Sequence, residues 1–487
     1  MTARRDRYNC RMSEPDAERT RAGLRPGGAV TGDVTVPTSK SIAQRACVAA
    51  ALASGTTRIS ALPRGEDVTA ALALVAAAGA DVRRLAPAAV SITGRPPGPH
   101  RGWRAEAPLD AGESGTLARL ATAAASFAGL AGRPLEIVVR GTLARRRSRA
   151  LFEALRSSGV RIEARDDDAW PARIVPIGPP STVRIVRPAS SQEVSALLLA
   201  LSAYPDDVQL QVKGRVPSRP YLEMTIGTLG DFGARVLEET PAHDGDGEPC
   251  RVFHVRGPLR APADPIVVEP DASSAAVALA AACLSGGHVR VAGIARTTRQ
   301  GDARIVEHLR VFGCDASHGD DGLSARGAPV RGAHLDLAGE PDLAPVLAIV
   351  AACAAASHGA RSRLDGLDTL PGKESSRIDV LAHGLSAAGF AVVATDASLE
   401  VGPGVGSTGS TGVARVPEIV LDAHGDHRMA FAFALLGLVR ERVWVDGADC
   451  VRKSWPGFFD AMERAGARVH AERPQTTQRP PAPPSPP

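Results

Sequence analysis

The chain has 487 residues, 44% of them hydrophobic, which is enough to bury a large core and long enough for two domains or more. A formal net charge of +4 and an aromatic share of 3% exclude the basic, aromatic-rich surface that is typical of nucleic-acid binding. The seven cysteines are scattered and include no CxxC pair, which favours a reducing, cytoplasmic compartment and predicts neither a zinc site nor a disulfide framework.

Both ends of the chain are predicted to be disordered. Residues 1–24 carry mixed charge with little apolar periodicity, and residues 471–487 are rich in proline. No signal peptide is recognisable, and apolar runs such as Val194–Ala203 are too short to span a bilayer. We therefore expect no membrane partner and place the fold between residues 25 and 470.

A helical stretch that ends in glycine and continues into a short strand recurs six times along the chain. Glycine just past a helix end takes the left-handed conformation that closes the helix, and β-branched residues after it start a strand. Spacings of 80, 74, 80, 76 and 77 residues separate the glycines Gly79, Gly159, Gly233, Gly313, Gly389 and Gly466. The nearly constant interval favours six repeated units, and six unrelated α/β connections remain the alternative. Six units indicate two lobes of three, divided near Gly257–Pro265, with a ligand cleft between them.

Four motifs in the first half can hold anions at helix starts. Lys40 lies at a predicted helix N-terminus, where free amides and the helix dipole favour an anion, and Arg45 follows Ser41 by one turn. The Gly112–Arg119 segment opens another helix, and its glycines allow a ligand to approach the backbone. Hydroxyls and an amide suited to a phosphate follow in Ser190, Ser191, Gln192 and Ser218. Each motif by itself is also explained by ordinary helix capping.

The second half supplies charged groups at the starts of predicted elements. Asp342 precedes a long apolar run, and the pair Lys373 and Glu374 follows a Pro-Gly turn. Under the repeat, four cations occupy equivalent positions and would point into one central space: Lys40, Arg377, Arg428 and Lys453. Like charges repel unless a counter-charge lies between them, so this convergence predicts polyanionic ligands.

Six short segments occur in a characteristic order: P-x-S-K-S-x-x-x-R, S-S-Q, S-[KR]-P-Y, P-D, K-E-[ST]-x-R and D-H-R-M-A. On these segments the chain, from about Gly32 to Val469, resembles the enolpyruvyl transferases, and within them the branch that acts on shikimate 3-phosphate. The resemblance implies an α/β fold, a two-lobed inside-out α/β barrel of six βαβαββ repeats with three per lobe. It implies a discontinuous lobe one over residues 25–37 and 262–470, and a lobe two over residues 38–261.

The resemblance also implies an activity, which is transfer of the enolpyruvyl group of phosphoenolpyruvate to the 5-hydroxyl of shikimate 3-phosphate with release of phosphate. This reaction belongs to the shikimate pathway, which leads to chorismate and the aromatic amino acids, and it needs no metal or organic cofactor. A cytoplasmic monomer and a glyphosate target are further implications. Asp342 would be the base at the hydroxyl, Glu374 the acid at C3, and Lys373 a stabiliser of the leaving phosphate.

Two sets of binding residues follow from the resemblance. Shikimate 3-phosphate would be held by Lys40, Ser41, Arg45, Ser190, Ser191, Gln192, Ser218, Asp342 and Lys373. Phosphoenolpyruvate would be held by Lys40, Gly115, Gln192, Arg377, Arg428 and Lys453. In the second set the two guanidinium groups suit the substrate carboxylate, because their planar forks pair with carboxylate oxygens.

Several positions depart from the family pattern. Glu113 stands where the family commonly has asparagine, and it adds a negative charge near the phosphoenolpyruvate end of the site. Thr369 and Ser376 replace an asparagine and an aspartate. A further arginine is expected within Arg145–Arg149, but its register is open.

Three other functions stay open. A UDP-N-acetylglucosamine enolpyruvyl transferase usually carries a reactive cysteine in a loop of the first lobe, whereas Cys47 lies within a predicted helix. The departures fit a paralogous enolpyruvyl transferase that acts on another cyclitol. A non-catalytic anion-binding protein is the third, although it would not need Asp342, Lys373 and Glu374 together.

Overall fold

The computed structural model describes residues 20–98, 100–166, 168–240, 242–243, 247–404 and 417–472. Over this range the chain forms six small sheets, each built on four strands in one shared arrangement. The strands in chain order are β1 (Arg21–Arg25), β2 (Thr31–Asp33), β3 (Thr56–Ser60), β4 (Asp81–Ala86), β5 (Ala89–Thr93), β6 (Leu109–Asp110), β7 (Leu135–Val138), β8 (Arg161–Arg165), β9 (Ala169–Val175), β10 (Thr182–Val186), β11 (Asp207–Lys213), β12 (Arg235–Glu238), β13 (Ala242–His243), β14 (Pro249–Arg256), β15 (Ile266–Val267), β16 (His288–Ala292), β17 (Asp315–His318), β18 (Gly322–Arg326), β19 (His334–Asp336), β20 (Ser362–Asp365), β21 (Ala391–Ala394), β22 (Leu399–Gly402), β23 (Ile419–Asp422), β24 (Val443–Asp446) and β25 (Arg468–Glu472).

The helices alternate with these strands. In chain order they are α1 (Lys40–Leu52), α2 (Glu66–Ala77), α3 (Gly115–Ala128), α4 (Arg149–Ser157), α5 (Ser191–Leu201), α6 (Arg219–Asp231), α7 (Ala272–Ser285), α8 (Ile305–Val311), α9 (Ala344–His358), α10 (Arg377–Ala387), α11 (His427–Val439) and α12 (Phe458–Arg464). Short 3-10 turns cover Gly141–Arg145, Gly301–Arg304, Pro341–Leu343 and Ala448–Lys453.

One repeated unit accounts for every sheet. In the sheet ordered β6-β7-β9-β8, the first two strands are parallel and are joined through α3, and the last two form an antiparallel pair that follows α4. The other five sheets have the same order of parallel and antiparallel neighbours. The six glycines of the sequence repeat all have φ between +79° and +105°, the left-handed conformation that ends each second helix. The predicted six-unit repeat is therefore confirmed.

The core of each half is made of helices rather than of sheet. The alanine-rich α7, α9 and α11 pack against one another, α3 packs against both α1 and α5, and most residues of these helices are buried. A helix that is apolar on all sides is stable only when it is surrounded by protein, so the sheets enclose these helices. Alanine suits this position because its small side chain lets helix axes approach closely.

Two separate hydrophobic cores divide the chain into two lobes. Lobe one contains the core residues of Ala22–Val36 and Ala272–Ala467, and lobe two those of Ala43–Val268. The chain passes between the lobes at two adjacent segments, where the Ser39 amide donates to the Glu269 carbonyl at 2.9 Å and the Asp271 amide to Pro37 at 2.8 Å. Since β15 pairs with β3 of lobe two, we propose a division near residue 269, later than the 262 predicted from the sequence.

Two sheets are completed by distant parts of the chain. The strand β15 supplies the first strand of the sheet that contains β3, and β1 inserts between β24 and β25 in the last sheet. The predicted disorder is therefore wrong for residues 21–24 and 471–472, because these residues form paired strands. Residues 1–19 and 473–487 lie outside the described part of the chain.

The prediction that every apolar run is too short to span a membrane is also wrong. Among the described residues, Pro341–His358 is long and apolar enough to do so, but 83% of it is buried inside the protein. This segment includes α9 at the centre of lobe one, which explains its composition.

Leu24 tests the role of β1, because its side chain is fully buried in the lobe one core. Leu24→Ala is expected to lower the free energy of unfolding by about 2–5 kcal/mol, through lost burial and the cavity left behind. Chemical denaturation would measure this loss. The control Leu85→Ala, at a side chain that is 56% exposed, should change the free energy by less than about 0.5 kcal/mol. Equal small effects of both variants would contradict the placement of β1 in the core.

Candidate active site

Arg377 is a buried cation that binds three carboxylates. It is the first residue of α10, and its side chain is 2% exposed. Its Nη1 donates to Asp342 Oδ1 at 2.8 Å, its Nη2 to Glu374 Oε2 at 2.6 Å and its Nε to Asp426 Oδ2 at 2.8 Å. A charge is tolerated in a protein interior only when it is paired and hydrogen-bonded, and here every face of the guanidinium group has an anionic partner.

Asp342 collects further cations on its other side. It lies in the 3-10 turn before α9, with Lys373 Nζ at 3.4 Å and Arg428 Nη2 at 3.0 Å from its carboxylate. The Tyr221 hydroxyl donates to it at 3.3 Å. The structure thus brings together five residues that the sequence singled out: Asp342, Lys373, Glu374, Arg377 and Arg428.

Both carboxylates of this cluster are ionised at neutral pH. Burial alone would raise the pKa of Asp342, but Arg428, Lys373 and Arg377 outweigh it and hold the pKa well below its usual range. Burial also acts to raise the pKa of Glu374, and Arg377 together with Arg146 lowers it well below the normal value. Either group can accept a proton, and Glu374 can donate one only after its surroundings become less positive.

These side chains face a cavity between the lobes. We call it the inter-lobe cavity, and its lining residues are Lys40, Ser41, Gln44, Asp67, Glu113, Ser114, Gly115, Thr116, Arg146, Gln192, Tyr221, Asp342, Lys373, Glu374, Arg377, His427 and Arg428. Within the described part of the chain, no group of three or more His, Cys, Asp or Glu side chains is placed to hold a metal ion.

Lys453 lies just outside this cavity, in a second, more open depression. This depression, which we call the rim groove, is lined by both lobes and includes Arg64, Glu66, Asp67, Glu113, Arg140, Arg452 and Lys453. Glu113 and Asp67 line both spaces. The rim groove and the inter-lobe cavity therefore adjoin at these two carboxylates.

Arg45 does not face the inter-lobe cavity. Its guanidinium group donates to Thr225 Oγ1 at 2.7 Å, to the Ser41 carbonyl at 2.8 Å and to the Tyr221 carbonyl at 3.2 Å. With 1% exposure it joins α1 to α6. In this conformation it supports the helix that carries Lys40 and Ser41, and its predicted contact with a ligand stays a prediction.

The three serines predicted to bind phosphate lie at the starts of α5 and α6, outside the lining of the inter-lobe cavity. Ser190 caps α5 and accepts from the Gln192 amide at 3.2 Å, while Ser191 is buried. Ser218 precedes α6 with φ of +52° and donates its amide to the Ala338 carbonyl of lobe one at 3.2 Å. Helix N-termini favour an anion, which agrees with the predicted role without testing it.

The structure resolves which arginine of Arg145–Arg149 reaches the site. Arg146 lines the inter-lobe cavity, and its Nη2 lies 3.5 Å from Glu374 across the lobe boundary. Arg119, which the sequence indicates only as the last residue of the Gly112–Arg119 motif and not as a site residue, donates to the Gly115 carbonyl at 2.9 Å and to Gln192 Oε1 at 3.1 Å. The arginine therefore fixes two of the predicted binding residues relative to each other.

Asp302 was also missed. It is buried beneath Asp342, and the Tyr221 hydroxyl lies 3.3 Å from both carboxylates. Burial and the charge of Asp342 raise the pKa of Asp302 to about 6, against the opposing effect of Arg428. It lies in a 3-10 turn, so no helical or strand periodicity in the sequence could reveal it. Asp426 was noted only as part of a motif, and its role as the buried partner of Arg377 depends on the fold.

The chain is similar to known proteins over nearly its whole length. Residues 24–462 match the family described as EPSP synthase (3-phosphoshikimate 1-carboxyvinyltransferase). A protein of Methanoculleus marisnigri named 3-phosphoshikimate 1-carboxyvinyltransferase is 32% identical over 446 residues, which cover 90% of this chain and 98% of that protein. One of the same name from Vibrio atlanticus is 30% identical over 444 residues, with the same coverage.

Solved structures give the same result. EPSP synthase from Acinetobacter baumannii superimposes with a TM-score of 0.72 at 25% identity, covering 93% of this chain and all of that chain. The enolpyruvyl transferase NikO from Streptomyces tendae superimposes with a TM-score of 0.67, covering 93% and 99% of the two chains, but its 18% identity supports only the shared fold. The two-lobed inside-out α/β fold predicted from the sequence is confirmed.

Glu374 gives a test of the electrostatics. Its pKa in the folded protein lies below the unfolded value of about 4.3, so the folded state binds fewer protons and gains stability above that pH. This stability is lost as the pH falls through the folded pKa. We expect the thermal midpoint of the wild type to fall more steeply between about pH 5 and pH 3 than that of Glu374→Gln. The exposed Glu463→Gln should keep the wild-type slope, and an equally steep fall in Glu374→Gln would contradict the assignment.

Proposed function

Because the chain belongs to the EPSP synthase family, we propose that it transfers the enolpyruvyl group of phosphoenolpyruvate to the 5-hydroxyl of shikimate 3-phosphate and releases phosphate. The chain is then a transferase of the shikimate pathway, on the route to the aromatic amino acids. We also propose that it acts in the cytoplasm as a monomer, without a membrane or nucleic-acid partner. The observation that carries the proposal is the buried cluster around Arg377 at the wall of the inter-lobe cavity.

The charges of the inter-lobe cavity suit two anionic substrates. Its lining includes more cations than carboxylates, with Lys40, Arg146, Lys373, Arg377 and Arg428 against Asp67, Glu113, Asp342 and Glu374. Arg428 presents a guanidinium group, which pairs with a carboxylate in a planar, two-point geometry, whereas Arg377 would have to exchange a protein carboxylate for that of the substrate. The start of α5 at Ser190 and Ser191 offers backbone amide and hydroxyl donors for a second phosphate, and Ser218 adds a hydroxyl. Both substrates carry a phosphate and a carboxylate, so this distribution supports their binding.

In the proposed mechanism, Asp342 takes the proton of the 5-hydroxyl as its oxygen bonds to C2 of phosphoenolpyruvate, and Glu374 gives a proton to C3. The tetrahedral adduct then loses phosphate when the C2–O bond to the phosphate breaks. One proton of the C3 methyl group returns to Glu374, and the proton on Asp342 leaves with the phosphate. Lys373, which lies 3.4 Å from Asp342, stabilises charge on the departing group.

Glu374 must be protonated before it can act as the acid. In the unliganded site its pKa is held low by Arg377 and Arg146 against the effect of burial. Bound phosphoenolpyruvate adds negative charge beside these cations and raises the pKa of Glu374, because a like charge disfavours ionisation. The substrate itself therefore supports protonation of the acid.

The alternative with a reactive cysteine has little support. Cys47 is buried within α1, and burial raises the pKa of its thiol to about 12. A thiol with such a pKa is not nucleophilic at neutral pH. A paralogue that acts on another cyclitol remains the alternative that an experiment must separate.

Phosphate release in the presence of both substrates tests the proposal directly. The wild type should release phosphate only when phosphoenolpyruvate and shikimate 3-phosphate are both present. Asp342→Asn should reduce kcat by about 10²–10⁴-fold, because it removes the proton acceptor. Asp264→Asn is the matched control. Asp264 is exposed and does not line the inter-lobe cavity, so this variant should keep the wild-type rate. Release with another cyclitol but not with shikimate 3-phosphate would favour the paralogue, and binding without release would favour an anion-binding protein.

Gly115 gives a prediction about glyphosate, which the family resemblance implies as an inhibitor. A Cβ at Gly115 would lie 2.9 Å from Arg119 Nη1 and 3.6 Å from Arg146 Nη1. Gly115→Ala should therefore displace the guanidinium group of Arg119, which also donates to Gln192 of the proposed phosphoenolpyruvate site, whereas Arg146 stays in ordinary contact. We expect a higher inhibition constant for glyphosate and a smaller rise in KM for phosphoenolpyruvate. Gly230→Ala controls for the loss of a glycine within a helix, since a Cβ there meets no atom within 4 Å and the residue does not have a positive φ. Unchanged inhibition would contradict the placement of this loop.

A further inference from the structure

An ion pair joins the two lobes at the boundary between the rim groove and the inter-lobe cavity. Lys453 Nζ of lobe one lies 2.7 Å from Glu113 Oε2 of lobe two, and it also donates to the Gly425 carbonyl at 3.3 Å. Their side chains are 25% and 36% exposed. Burial alone would lower the pKa of Lys453, but the hydrogen bond to Glu113 and its charge outweigh this and raise the pKa. Lys453 is therefore held as a cation by a carboxylate of the protein itself.

The backbone opposite Glu113 leaves room for this arrangement. Glu113 lies in the turn between β6 and α3, and a Cβ at Gly141 would overlap its Oε1. Gly141 has φ of +55°, a conformation that glycine adopts readily. The glycine thus lets the carboxylate lie against the backbone while its other oxygen reaches Lys453.

We propose that Glu113 sets the affinity for phosphoenolpyruvate by occupying Lys453 when the substrate is absent. This inference deepens the proposed function and depends on it for the identity of the substrate. A substrate phosphate that binds Lys453 must replace the carboxylate of Glu113 and then lie beside a like charge. Both effects oppose binding of the anion, so Glu113 is a positioning residue that acts through Lys453.

The opposite effect is expected if the ion pair is simply a clamp that holds the lobes together. Loss of such a clamp would disfavour the closed conformation, and the affinity for phosphoenolpyruvate would then fall. The sign of the change therefore separates competition from clamping. A partly exposed ion pair is worth little to stability, which also makes large effects on folding unexpected.

The experiment measures KM for each substrate and kcat by phosphate release, using Glu113→Gln in the full chain. We expect KM for phosphoenolpyruvate to fall by about two- to fivefold, the upper part of the range set by a partly exposed charge pair. KM for shikimate 3-phosphate should stay unchanged. The control Glu66→Gln removes the same charge from the rim groove, and its KM values should remain those of the wild type. Thermal unfolding would check that each variant is folded.

A double-mutant cycle tests whether Glu113 acts through Lys453. Glu113→Gln should lower KM for phosphoenolpyruvate in the wild type but leave it unchanged in a Lys453→Met background. An unchanged or higher KM in Glu113→Gln overturns the proposal, and so does an equal fall in both backgrounds. If the wild type releases no phosphate at all, the proposed function fails. Calorimetric titration with phosphoenolpyruvate then still tests the role of Glu113, because Glu113→Gln should bind phosphoenolpyruvate more tightly than the wild type, and this gain should vanish in the Lys453→Met background.

Discussion

The guanidinium group of Arg377 is the interaction on which the rest of the site depends. It donates hydrogen bonds to three carboxylates: Asp342 in the turn before α9, Glu374 in the loop before α10 and Asp426 at the N-terminus of α11. A buried cation that loses one of its anionic partners keeps the cost of its lost hydration, so the three elements are fixed relative to one another. Asp426 has two roles, because it accepts a hydrogen bond from Arg377 and also caps α11 by accepting from the amide of Arg428. The proposed base, Asp342, and the proposed acid, Glu374, thus receive their positions from a structural ion network.

The repeat explains why cations gather at this place. The starts of α1, α3, α5 and α11 each supply residues that line the inter-lobe cavity. A cation at such a helix start opposes the helix dipole and is stable there only with an anion nearby. Lobe one supplies that anion from its own carboxylates, whereas lobe two presents capping serines at Ser114 and Ser190. This is where we propose that the polyanionic substrates bind.

The sequence predicts the parts of this arrangement that are local. Helix ends, left-handed glycines and the residues at helix starts follow from short-range chemistry, so the six units and the cluster around Asp342 could be foreseen. Strands β1 and β15 could not, because each completes a sheet whose other strands lie far away in the chain. The same limit applies to Arg146 beside Glu374 and to Glu113 beside Lys453, which meet only when the lobes are in contact. The motif predicts that Arg45 binds a ligand, but the guanidinium group of Arg45 donates its hydrogen bonds to acceptors within the protein.

The charge balance of the site then links binding to chemistry. Without substrate, carboxylates of the protein neutralise the cations of the site. The pKa values of Asp342 and Glu374 are then well below their usual range, so neither group holds a proton at neutral pH. Substrate anions shift this balance, because each one weakens the positive potential that keeps Glu374 ionised. If Glu374 becomes protonated only when substrate is bound, it cannot give its proton to another molecule in the open site. The same reasoning explains how Glu113 can matter without touching the reacting atoms: it changes how much of the positive potential at Lys453 remains for the substrate.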